Sequence, residues 1–211
     1  MGLLKKRRTE QVHFIGDDVA LTIALQARQQ SAQAELYQRY ATHVRGVLVR
    51  VLGTNSDIKD HLHNTFVQIF TSIDSIRDGK CLKQWLTTVT VYTAIGHIKA
   101  SQRKNWLIFM GPEDVPEQQF ESASLELREA VHQVYEVIDR LSPDDRAIFC
   151  LRTIEGMPLK ELADVFDVSL ATIKRRISHA QSRFAFHVRS VPALEEWINK
   201  SPDKHFLAKE A

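Results

Sequence analysis

The sequence predicts an all-α protein of two helical domains joined by a flexible acidic linker. Three observations carry this. No proline occurs before Pro112, and so long a stretch without the residue that breaks helices favours them. Apolar residues recur at spacings of three and four on both sides of the chain's middle, the period of a helix with one buried face. Between the two halves, Gly111 to Ser124 holds Pro112, Pro116 and several acids with no period, the composition of a linker. A length of 211 residues suits one or two domains, each large enough to bury a core.

Taken in order, Gly16, Asp17 and Asp18 offer a start for a helix over Val19 to Gln29. Leu36, Tyr40, Val44, Val47 and Val51, widened by Tyr37 and Leu48, form the stripe of a second, and Gly53 supplies its stop. Thr54 to Asp57 caps a third with Leu62, Phe66, Ile69 and Ile73 on its apolar face and Asp57, Asp60, His61, Asn64 and Gln68 opposite. The fourth element is contested. Thr87 to Thr93 is almost wholly β-branched, which favours a strand, yet Leu82, Trp85, Leu86, Val89 and Tyr92 keep helical spacing and no partner strand exists, so a helix is expected. Beyond the linker, Leu127, Val131, Val134, Ile138 and Leu141 mark another helix. Ser142, Pro143, Asp144 and Asp145 begin the next, with a hydroxyl cap, proline at the first position and early carboxylates. It carries Ile148, Leu151 and Ile154 and ends at Gly156. Pro158 opens a short helix with Leu159, Leu162, Ala163 and Phe166, Asp167 and Val168 turn the chain, and Ser169 caps a last helix that buries Ile173, Ile177, Ala180 and Phe184.

Composition narrows the function. The apolar runs are far short of the roughly 18 to 20 residues a membrane span needs. Lys5 to Arg8 is followed by Thr9, Glu10 and Gln11 rather than an apolar stretch, which argues against a signal peptide. A cytoplasmic protein without membrane insertion is expected. Cys81 and Cys150 form no close pair and are expected to be buried thiols. Net charge is only +2, but its distribution is uneven: Val168 to Leu194 holds five Arg or Lys and no acid, whereas Gly111 to Ala130 holds six acids against Arg128 alone. One end suits a polyanion and the middle avoids it.

Two short helices joined by a tight turn, the second cationic and capped by a hydroxyl, make a helix-turn-helix. With Ile173 in the core, a step of about 100 degrees per residue points Ala171, Arg175, Ser178 and Ser182 outward, flanked by Thr172, Lys174 and His179. Arg175 is thereby placed for base edges and Lys174, Arg176 and Arg183 for phosphates.

Leu141 to Phe184 (LSPDDRAIFCLRTIEGMPLKELADVFDVSLATIKRRISHAQSRF) resembles region 4 of bacterial sigma factors. LYQRYATHVRGVLVRVLG, DIKDHLHNTFVQIF and SIDSIRDGKCLKQWL resemble, in that order, region 2 of the extracytoplasmic function group of the sigma-70 family. The resemblance implies a sigma factor that binds core RNA polymerase, recognises a two-part promoter and assists its melting, with no catalysis, metal or cofactor of its own. It divides the chain into a disordered basic N-terminus (1–16), region 2 (17–106), the linker (107–124), region 4 (125–190) and a C-terminal extension (191–211) past the usual end of region 4; in that extension the spacing of Leu194, Trp197 and Ile198 suits one helical turn against the second module. It places Asp57, Asp60, His61, Asn64 and Gln68 on core polymerase, although His63 and Asn64 stand where the family commonly has Gln-Glu. The loop Ser75 to Lys80 takes the place of one that captures a base flipped from the minus-10 element, with Arg77 and Lys80 beside it; Tyr92, His97, Lys99, Arg103 and Lys104 follow. Tyr92, where relatives often carry Asn, suits DNA or core equally, and Trp85 is expected to pack. Ser169, Thr172, Lys174, Arg175, Arg176, His179 and Arg183 fall on the minus-35 element. An anti-sigma factor is an implied partner, and the free protein is expected to be a monomer. The rival reading, a free-standing helix-turn-helix regulator, lacks a receiver or ligand-binding domain before Pro112.

Overall fold

The structure is a computed structural model that describes residues 14–53, 57–107 and 125–191, with backbone alone for 104–107, 125–128 and 130. All regular secondary structure among the described residues is helical. The acidic linker, the N-terminal basic run and the turn expected at Leu194, Trp197 and Ile198 lie outside the described residues.

Helix α1 spans Asp18–Gln26, ending three residues earlier than expected, and its cap is Asp17, whose carboxylate accepts from the Ala20 N–H at 2.9 Å. Helix α2, Gln30–Leu52, buries Leu36, Tyr40, Val44, Val47, Leu48 and Val51, and Gly53 ends it at φ 85°. Helix α3, Ile58–Ser72, is capped by Asp57 and buries Phe66 and Ile69. Two 3-10 turns, Ile73–Ser75 and Gly79–Cys81, lead into α4, Leu82–Leu107. The β-branched run is helical for a local reason. The hydroxyls of Thr87, Thr88, Thr90 and Thr93 donate to the carbonyls of Lys83, Gln84, Leu86 and Val89, one turn back, at 2.7 to 3.1 Å. The hydroxyls are thus satisfied within the helix, while the cost of the β-branch itself is left to packing to offset.

The second half contains α5, Leu125–Ile138, and α6, Pro143–Phe149, with the Ser142 hydroxyl accepting from the Asp145 N–H at 3.2 Å. The expected single helix to Gly156 instead ends at Phe149 and continues as a π-helical turn over Cys150–Ile154. Gly156 then reverses the chain at φ 73°. Helices α7, Leu159–Val165, and α8, Leu170–Val188, follow, the latter capped by Ser169. Cys150 is buried, and burial pushes its thiol up to about 12. Cys81 is exposed, against expectation, because it sits on the short turn before α4 rather than on a buried stripe.

The two halves share the larger of two apolar clusters. It runs from Leu36, Val47 and Leu86 into Leu151, Met157, Leu162, Phe166, Ile173 and Ile177. A smaller one, where the Phe149 and Phe184 rings stack at 4.6 Å, holds α8 to α5 and α6. Polar bonds close the seam: Arg146, only 6% exposed, donates from Nε to the Val51 carbonyl at 2.5 Å and pairs with Asp139. Arg50 meets Glu155 at 2.5 Å, Lys99 meets Asp144 at 3.0 Å, and Gln84 donates to Asp164 at 3.2 Å.

Candidate polymerase and promoter surfaces

Three surfaces carry the residues singled out by sequence. On α3, Asp57, Asp60, Asn64 and Gln68 are exposed, as the phase of Leu62, Phe66 and Ile69 requires. Asp57 also accepts from the Asp60 N–H, so the first turn presents two carboxylates at the positive end of the helix. His61 departs from this face. It is half-buried, its ring centroid lies 4.5 Å from that of His97 on α4, and its Nδ1 is buried without a hydrogen-bond partner. Burial first, then the neighbouring His97, holds the His61 imidazole below its ordinary range. His97, expected on the DNA side, is half-buried in the same pair.

The second surface is the loop between α3 and α4. Arg77 and Lys80 are exposed on it. The Asp78 carboxylate accepts from the Lys80 N–H at 2.9 Å, and Trp85, half-buried as expected of a packed anchor, donates from its indole to the Ser75 hydroxyl at 3.1 Å. Helix α1 lies along this loop: Gln26 donates to the Ile76 carbonyl at 3.1 Å, and Arg28 donates to the Phe70 carbonyl at 2.8 Å and to Asp74 at 2.5 Å. Sequence reasoning gave Arg28 no part, because its partners lie more than 40 residues away. On α4, Tyr92, 48% exposed, stands beside Phe166 with centroids 6.4 Å apart, so it belongs neither to the core nor wholly to solvent. Lys99 and Arg103 are exposed, Lys99 being engaged by Asp144. The side chain of Lys104 lies outside the described residues.

The third surface is α8. Ala171, Lys174, Arg175, Ser178, His179, Ser182 and Arg183 are exposed, while Thr172 and Arg176 are half-buried on its flanks. Ile173, Ile177, Ala180 and Phe184 are buried, so the helical phase counted from the sequence holds. Ser169 accepts from the Thr172 N–H at 3.2 Å, which fixes the first turn. His179 meets the Asp145 carboxylate at 3.2 Å, so an acid from α6 reaches the edge of a helix that has none of its own.

Comparison with known proteins finds two family matches in order along the chain. The family described as Sigma-70 region 2 matches residues 36–104, and Sigma-70, region 4 matches residues 132–183. The extracytoplasmic function RNA polymerase sigma-E factor of Haemophilus influenzae is 28% identical over 176 residues, spanning 78% of this chain and 91% of that protein. That of Escherichia coli is 26% identical over 182 residues, spanning 78% and 90%. The chain belongs to the extracytoplasmic function group of the sigma-70 family. Its function is that of an RNA polymerase sigma factor, and the family is not one of enzymes.

Two solved structures share the fold. CnrH in complex with the cytosolic domain of CnrY aligns with TM-score 0.56 and 18% identity over 83% of this chain and 99% of that one. The sigma factor RpoE bound to the anti-sigma factor NepR from Bartonella quintana aligns with TM-score 0.55 and 20% identity over 74% and 96%. In this sigma factor the region 4 match begins inside α5 and covers α8 through Arg183. The region 2 match begins at Leu36 and leaves α1 outside it. No helix among the described residues is long and apolar enough to cross a membrane.

Proposed function

We propose that each surface has its own partner in transcription initiation. The α3 face, through Asp57, Asp60, Asn64 and Gln68, docks on core RNA polymerase, with His61 serving the α3–α4 packing beneath it. The loop from Ser75 to Lys80 holds a base extruded from the minus-10 element, with Arg77 and Lys80 on adjoining backbone and Lys99, Arg103 and Lys104 following the strand. Unstacking and unpairing a base costs energy, and a built pocket offsets part of it. Helix α8 enters the major groove of the minus-35 element with Arg175 toward bases and Lys174, Arg176 and Arg183 toward phosphates. Ser169 and Thr172 set its first turn, and His179 lies at the edge of its contact face. The polymerase performs the catalysis, and the chain acts as a monomer in the cytoplasm.

The closed seam has a functional meaning under this reading. Lys99 is neutralised by Asp144 and Tyr92 is half covered by Phe166, so the halves must part before α4 takes DNA. An anti-sigma factor is a fitting ligand of the inactive state, since a structural relative is held by one. The observation that carries the reading is the presence in one chain, in order, of the region 2 and region 4 matches, the second ending in a cationic helix with no acid. The test is transcription by core polymerase from a random promoter library with and without this protein. Discrete starts sharing a two-part upstream element are expected. Starts that do not depend on the protein, together with tight unaided binding to duplex DNA, would instead favour a free-standing regulator.

A further inference from the structure

Arg28 occupies a position at which its backbone works against it. It lies just past the end of α1 with φ 58°, in the left-handed region that side chains with a Cβ resist and glycine enters freely. An arginine there calls for a compensating role, and its guanidinium shows one. One nitrogen donates to the Phe70 carbonyl at 2.8 Å, in the last turn of α3, where helix carbonyls lack partners of their own. Another meets the Asp74 carboxylate at 2.5 Å, inside the first 3-10 turn of the loop. Two further ties join α1 to the same loop. Gln26 donates to the Ile76 carbonyl at 3.1 Å. Gly79 lies so close that a Cβ would come within 2.7 Å of the Val19 Cα. The loop is thus fixed at positions 74, 76 and 79, with exposed Arg77 between the last two and Lys80 just after.

We infer that Arg28 is a positioning residue for promoter melting, a clamp that sets the 73–81 loop in its base-receiving shape before DNA arrives. A pocket ordered in advance loses no conformational freedom on capture, so more of its contact energy goes to holding the extruded base. The inference rests on the proposed reading of the 75–80 loop, and its test separates the two.

The experiment uses full-length protein in holoenzyme. Arg28→Gly relieves the backbone and removes the clamp; Arg28→Asn, which also tolerates the left-handed region, removes the clamp without glycine's added freedom. Opening is read as permanganate reactivity of unpaired thymines on a duplex promoter, and run-off transcription is measured on the same promoter with its minus-10 region already mismatched open. Both variants are expected to open duplex about fivefold less, the upper end of what contacts open to water contribute, and to transcribe the pre-opened template within about twofold of wild type. Arg28→Lys, a point charge without the fork, should fall between. An equal loss on both templates would overturn the inference, since it would report general damage to binding or folding. The Arg77→Ala, Lys80→Ala double variant judges the loop itself. If it impairs duplex opening while the Arg28 variants do not, the clamp is refuted and the loop reading stands. If it leaves opening unchanged, the loop reading fails and takes the clamp with it.

Discussion

Replacing Arg146 with methionine should destabilise the protein by an amount that the seam geometry allows to be worked out. Val51 lies one residue from the end of α2, so its carbonyl has no acceptor role within the helix. Arg146 supplies the missing donor from another part of the chain, at 2.5 Å, in a buried setting. Methionine keeps the apolar stem and removes the donor, leaving the carbonyl without a partner and away from water. A hydrogen bond from a charged group contributes about 1.5 to 3 kcal/mol. The pair with Asp139 adds little, because the Asp139 side chain is 57% exposed and pairs open to water are typically worth about 0 to 1 kcal/mol. The expected loss is therefore about 2 to 3 kcal/mol, or a fall of roughly 4 to 12 °C in Tm for a chain of this size. Calorimetry on the full chain measures it, and the continuous core predicts a single cooperative transition in the wild type. A Tm within about 1 °C of wild type for Arg146→Met would show that water or another group satisfies the carbonyl. Two separate wild-type transitions would show that the halves unfold independently and that the seam contributes little.

Replacing Asp60 and Asn64 together by arginine should abolish association with core polymerase with helical content unchanged, because both are exposed opposite the buried Phe66 and Ile69; co-purification at normal affinity would misplace the docking face. Arg175→Ala should cost about 1 to 3 kcal/mol at the preferred minus-35 sequence and relax base choice there. Arg183→Ala should weaken all promoters alike and lower the salt slope by about one, and selection of preferred sequences by each holoenzyme distinguishes the two. His61 and His43 are both held below the ordinary value of 6.5, burial being the largest cause in each. Below 6.5 the unfolded chain therefore binds more protons than the folded one, so stability is full above that pH and falls as pH drops from 6.5 toward the folded values. Urea midpoints across this range should show the fall, less steep for His61→Leu; a flat wild-type profile would refute the assignment.

Local physics made most of the fold legible. Caps with oxygen side chains at Asp17, Asp57, Ser142 and Ser169 all accept the hydrogen bonds that their positions imply. The stripes of α2 and α8 are buried because a helix with one apolar face has one way to lie on a core, except for Tyr37, expected to widen the α2 stripe, which is 48% exposed at its edge with its ring against Phe66. The α4 ambiguity arose because β-propensity and helical spacing pointed in opposite directions, and spacing won once the threonine hydroxyls found their own carbonyls. The π-helical turn at Cys150–Ile154 left no trace in sequence, since it changes the phase of a helix without changing its residue types.

The surfaces were legible to the extent that they obey helical phase, and they fail where a partner comes from far along the chain. Asp60, Asn64, Arg175 and Arg183 stand where counting put them. His61 does not, because its exposure depends on His97, which no spacing on α3 reveals. Arg28 and Arg146 have the same property in stronger form: each satisfies a carbonyl near the end of a helix to which it does not belong, Phe70 in one case and Val51 in the other. A helix end carries a fixed need for donors, and sequence shows the need without the supplier. In this sigma factor the two suppliers sit at joints, one between α1 and the loop after α3, the other between the two halves. Under the proposed reading the two joints have opposite duties: the first holds the loop in one shape, and the second gives way when the halves part. A guanidinium suits both, since its fixed fork engages two acceptors at once and fails abruptly when either moves away.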